Sequence, residues 1–166
     1  MRGNPLALIA IVLWATTAAP ATAEPAAKHS SLEGAWTVIE VQRPGVAPDT
    51  HLQPSLYIFT GNHYAILRVT SREPRVALDL KSATAAQLLA VYSDDGFVAN
   101  AGTYEAKAGT LTTHSSVAKN PGRMKPGALV EFRYSIDGGT LTLTETRNDD
   151  EGPVPTVVTR RLKRLE

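Results

Sequence analysis

From Val130 to Ile136 the chain alternates strictly. Val130, Phe132, Tyr134 and Ile136 are apolar, with Glu131, Arg133 and Ser135 between them. After Asp137-Gly138-Gly139, Leu141 and Leu143 alternate with threonines in the same way. A period of two is that of a strand with one face in a core and the other in water, and the Gly-Gly turn joins the two runs into a hairpin. The same pattern recurs upstream. Leu56–Thr60 and His63–Val69 flank Gly61-Asn62 as a second hairpin. Phe97–Glu105 and Thr110–Val117 flank a turn at Lys107-Ala108-Gly109. A β-branched run to Val41 opens the series, and Val154–Leu165 closes it.

One stretch changes period. Ala85, Leu88, Leu89 and Tyr92 fall at i, i+3, i+4 and i+7, one face of a helix. Thr84 with Gln87 three residues on makes a capping box, with Ser82 as a rival cap, and Asp94-Asp95-Gly96 ends the segment. The pattern predicts one inserted helix near 83–92 whose apolar stripe covers an open side or mouth of the sheet. The rest is all-β: about eight short antiparallel strands in up-and-down order, the number at which a sheet closes into a barrel with room for side chains or one small ligand. Gly34-Ala35-Trp36 stands at the head of the first strand. Gly34 lets the backbone turn into the strand, and Trp36 plugs one end of the barrel.

The start of the chain changes the picture of where this barrel works. Met1-Arg2, an apolar segment from Leu6 to Trp14 and Ala21-Thr22-Ala23 form a secretory signal peptide over residues 1–23. The apolar segment is too short to anchor the chain in a membrane, which takes about 20 apolar residues. Residues 24–31 read as a disordered lead-in and 32–166 as the barrel domain, in a periplasmic or extracellular bacterial protein. The chain has no cysteine, which excludes disulfides, thiolate metal sites and a lipid-attached cysteine. Of its 17 Lys+Arg, Arg2 lies in the leader, leaving the mature chain balanced against 16 Asp+Glu. Such a surface has no net field to draw in nucleic acid or anionic membrane. A monomer without cofactor is expected.

Taken together, Gly34-Ala35-Trp36, Ile58-Phe59-Thr60-Gly61-Asn62-His63-Tyr64, Asn100-Ala101-Gly102-Thr103-Tyr104, Thr113-His114 with Asn120-Pro121, and Asp137-Gly138-Gly139-Thr140-Leu141-Thr142-Leu143 resemble the bacterial lipocalin-like domain proteins. These are small exported barrels distantly similar to lipocalins. The resemblance implies a cavity for a hydrophobic ligand. It also implies a late arginine packed across the first-strand tryptophan, for which Arg160 and Arg161 are the candidates.

Three functions fit these residues. The leading one is a binding module that holds a small, mostly apolar molecule among Trp36, Val38, Ile58, Tyr64, Ile66, Phe132 and Tyr134, with Glu40, His63 and Arg68 as polar anchors. Glu40 shares a strand face with Trp36 and Val38, so it points inward if Trp36 does, and a buried carboxylate there needs Arg68 or Arg133 as partner; the alternative is a rim position in water. The second is an isomerase or cyclase working in the lumen through His63 or His114, with Tyr64 or Arg68 stabilising an oxyanion. The third is an interaction or inhibitor protein with a filled interior, acting through loops 43–54 and 118–127. No metal is expected, since the isolated histidines have no ligand spacing. No hydrolase, P-loop or dinucleotide motif occurs either. A lumen left open, with polar groups converging in it, separates the first two from the third.

Overall fold

The computed structural model describes residues 32–93, 96–150 and 157–165. The expected leader, the lead-in at 24–31 and the beginning of the closing strand at 154–156 lie outside the described residues. Strands β1 (Gly34–Gln42), β2 (Ser55–Thr60), β3 (His63–Val69), β4 (Phe97–Lys107), β5 (Thr110–Ala118), β6 (Val130–Asp137), β7 (Thr140–Asn148) and β8 (Thr159–Arg164) pair in chain order, and β8 pairs back onto β1. Every pairing is antiparallel. The result is a closed up-and-down barrel with no free sheet edge.

Its two ends differ. The tight turns at 61–62, 108–109 and 138–139 all lie at one end, together with the start of β1 and the end of β8. The ends of the longer connections, from β1 to β2, β3 to β4, β5 to β6 and β7 to β8, all lie at the other. The first end is a packed floor. Trp36, Leu111, Leu141, Leu143 and Leu162 are sealed from solvent there, and Phe59 meets Tyr104 edge-on with centroids 5.3 Å apart. The Trp36 indole donates to the Leu32 carbonyl at 2.8 Å. Gly34, at φ +124°, makes the bend that a side chain would strain.

The arginine across this tryptophan is Arg164, not Arg160 or Arg161. Its guanidinium lies 4.0 Å from the indole centroid and also donates to the Glu33 carbonyl. Register decides this. Trp36 pairs directly with Arg164, whereas Arg161 points outward and Arg160 turns into the lumen further up.

The helix α1 (Ala85–Tyr92) starts at the Thr84–Gln87 capping box, with both reciprocal hydrogen bonds made. Its expected packing is not found. None of its residues is buried, and Leu89 and Tyr92 are 69% and 52% exposed. The apolar stripe stands largely in water, and the end of the helix is held through Arg75. Arg75 stacks 4.7 Å from the Phe97 ring and 5.9 Å from Tyr92, and donates to the Val91 carbonyl. A short 3-10 turn, η1 (Pro121–Met124), sits in the β5–β6 connection. Asn120 clamps it to Asp150.

Candidate functional site

Inward-facing positions follow the strand alternation from floor to mouth, and three β-bulges reset that alternation on the way. The first falls between Val38 and Glu40 on β1. It leaves Ile39 unpaired, turns Glu40 outward and brings Val41 inside, opposite Arg160. Glu40 therefore does not line the lumen. It pairs with Arg161 at 3.0 Å on the outer face, a solvated contact of small energetic weight. The second bulge lies on β5, opposite Ala101 and Gly102. A Cβ at Gly102 would run into the His114 carbonyl and the Ser116 amide, so only glycine allows this approach. The third lies opposite Glu131 and Phe132 on β7. It inserts Thr146 and so puts both Glu145 and Asn148 on the inner face.

Towards the mouth the apolar filling gives way to a buried polar cluster. Arg160 is 8% exposed and donates through Nη1 to Glu145 Oε2 at 3.1 Å. Asn148 Nδ2 donates to the other carboxylate oxygen at 3.0 Å. Arg68 stands beside them without an ion-pair partner among the described residues. As a whole it is half-buried, but its Nε is sealed from solvent with no hydrogen bond, as is the Arg160 Nε. Burial pulls the Arg68 guanidinium below its ordinary pKa. Arg160 and Arg123 push the same way, while Tyr57 and Glu145 oppose them.

Two spaces share Arg68 and Arg160 in their walls. A small inner recess of about 20 Å³ is bounded by Ile66, Asn100, Phe132, Glu145, Arg68 and Arg160, among others. It has room for about one water molecule. A larger cavity of about 100 Å³ opens at the mouth, with Arg68 and Arg160 again in its wall. Val38, Val41, Leu52 and Val69 give it an apolar side, and Arg43 and Arg72 stand on its exposed rim with Asp49 and His51.

Of the residues expected to line a ligand site, Val38, Ile66, Arg68 and Phe132 are brought together around these spaces. Trp36 and Tyr134 belong to the floor core. Tyr64 is inward but buried lower down, its hydroxyl 2.8 Å from Ser115 Oγ. Burial raises its pKa, against the smaller opposite effect of that hydrogen bond. Ile58 faces outward at 36% exposure, because Tyr57 and Phe59 take the inner face of β2. His63 is exposed at the floor turn. It pairs with Thr103, which pairs in turn with His114, so both histidines share an outer row of the sheet, away from the cavity. Among the described residues no cluster of His, Asp and Glu could hold a metal ion.

Sequence reasoning passed over Arg160, Glu145, Asn148 and Tyr57 as lumen residues. The signal was available for two of them: Arg160 and Leu162 alternate as one face, and Leu141, Leu143 and Glu145 as another. Tyr57 lies in a run that is apolar on both faces and carries no phase. Asn148 joins them only through the bulge, which the sequence does not display.

No family model and no curated protein matches the chain. Among solved structures it is similar to a lipocalin-like protein from Bacteroides uniformis ATCC 8492, with a TM-score of 0.46 and 11% identity over 81% of this chain and 98% of that one. It is also similar to an uncharacterized protein from Bacteroides eggerthii DSM 20697, with a TM-score of 0.44 and 8% identity over 80% of this chain and 98% of that one. The fold of the chain is a closed up-and-down barrel: eight antiparallel strands in sequence order, closed between the first and the last.

Proposed function

We propose that the protein is an exported binding barrel that takes a small molecule at its mouth. The observation that carries this reading is the division of the lumen. The floor half is filled with side chains, while the mouth half keeps a cavity of about 100 Å³ with an apolar wall and two inward arginines. Pockets for drug-sized ligands run to about 300–1,000 Å³. This cavity suits a small molecule or the end of a longer one, and a further space of about 410 Å³ shares Arg43, Asp49, His51 and Arg72 at the rim, where the rest of a longer ligand would lie. Export rests on the signal pattern of residues 1–23. Catalysis by His63 or His114 has no support from their positions on the outer sheet face.

Native mass spectrometry of the protein purified from the periplasm or medium of its own host tests both parts. The expected mature chain begins at Glu24 and carries extra mass that leaves on mild activation. A chain retained in the cytoplasm with its leader intact contradicts export. Protein that never retains a small molecule, and shows no thermal shift with any of a broad metabolite panel, contradicts binding.

A further inference from the structure

The mouth cavity has a feature that a purely apolar carrier does not need. Among the described residues four arginines line it (Arg43, Arg68, Arg72 and Arg160), and Asp49 is the one acidic residue in its wall. Arg43 and Arg72 are exposed on the rim, where salt screens them. Arg68 and Arg160 are not so placed. They also line the inner recess, whose wall contains, among the described residues, one carboxylate, Glu145, alongside Arg123 from η1. Both Glu145 oxygens are already engaged, one by Arg160 and one by Asn148. Between Arg68, Arg160 and Glu145 one positive charge is left uncompensated. Burying a guanidinium in that condition is costly, and so is leaving the two enclosed Nε donors without acceptors.

Resting on the binding-barrel reading, we infer that Arg68 and Arg160 form an anion subsite that takes the carboxylate head of a small monocarboxylic acid, with its hydrocarbon part against Val38, Val41, Leu52 and Val69. A single negative charge balances the inner trio. A planar carboxylate also matches the forked donors of a guanidinium, giving paired charge-assisted hydrogen bonds. The rim arginines supply a positive funnel that draws an anion towards the mouth.

The test is calorimetric titration of the mature protein with four six-carbon probes: hexanoate, hexanol, hexylammonium and hexyl phosphate. Hexanoate is expected to bind one site at least tenfold more tightly than hexanol, and hexylammonium not to bind. Arg68→Met is expected to weaken hexanoate at least tenfold while leaving hexanol within twofold. Arg160→Met serves as a second variant, with its fold checked by circular dichroism. Equal binding of hexanoate and hexanol, unchanged in Arg68→Met, overturns the anion subsite and leaves the binding barrel standing. Tighter binding of hexyl phosphate than of hexanoate overturns the monocarboxylate assignment in favour of a phosphorylated ligand. Absence of binding by all four probes overturns the subsite; the metabolite panel decides separately whether the barrel binds anything.

Discussion

Arg68→Met should make the ligand-free protein more stable, which is the reverse of what removing a structural arginine does. Methionine keeps an unbranched stem that can lie along the same wall and deletes the charged head. Two losses in the present protein disappear with it. The enclosed Nε has no acceptor, and an unmade hydrogen bond of that kind costs about 1–3 kcal/mol. The charge also repels Arg160 and Arg123. Against these stands its attraction to Glu145, which Arg160 already satisfies at 3.1 Å. Replacing buried charged groups by apolar ones of similar size often gains about 1–4 kcal/mol. Because the mouth admits some water, we place the net gain at about 1–2 kcal/mol, the lower part of that range. At roughly 3–4 °C per kcal/mol for a domain of this size, the melting temperature should rise by about 3–8 °C. Urea unfolding followed through Trp36 fluorescence, with calorimetry alongside, measures both quantities. A loss of more than about 1 kcal/mol, on the scale of a broken native hydrogen bond, would show that Arg68 braces the fold and would refute the reasoning.

Three further outcomes follow from the packing. Trp36→Ala should cost about 3–5 kcal/mol, since it empties a sealed floor position, and an unchanged urea midpoint would contradict the floor as described. Leu89→Asp should change stability by less than about 0.5 kcal/mol, as substitutions at exposed positions do; a large loss would mean that the helix packs against something in solution. Tyr64→Phe should cost about 0.5–1.5 kcal/mol at neutral pH through the lost Ser115 hydrogen bond. It should also flatten the alkaline limb. The folded pKa of Tyr64 is raised, so the stability it contributes is complete below the unfolded tyrosine value of about 10 and is lost as pH climbs through the higher folded value. Denaturation midpoints from pH 8 to 11.5 should therefore fall more steeply in the wild type than in the variant.

The fold was legible because most strands carry their own period and are joined by turns with recognisable chemistry. The hairpins around Gly61-Asn62 and Gly138-Gly139 gave strand pairing and direction at once. The site was less legible, for reasons that differ by residue. Leu56-Tyr57-Ile58-Phe59 is apolar throughout, so it carries no phase, and Ile58 was assigned to the wrong face. Glu40 was misplaced by the bulge after Val38, a feature set by pairing with β8 rather than by local sequence. The Trp36 partner depends on register, and a shift of a few residues separates Arg164 from Arg160. That same error hid Arg160, whose alternation with Leu162 already marked it as inward. The 85–92 stripe identified a helix correctly but said nothing about what its apolar face meets.

The central claim is that the mouth half of the lumen binds and the floor half does not. Titrating hexanoate into isotope-labelled mature protein and following amide, indole and arginine Nε signals tests it residue by residue. Shifts should saturate at Val41, Ser55, Val69 and the Nε–H groups of Arg68 and Arg160, while the Trp36 indole, Leu111 and Leu141 stay unmoved. Saturable shifts centred on the floor or on Leu89 and Tyr92, with the two arginine signals unchanged, would contradict it.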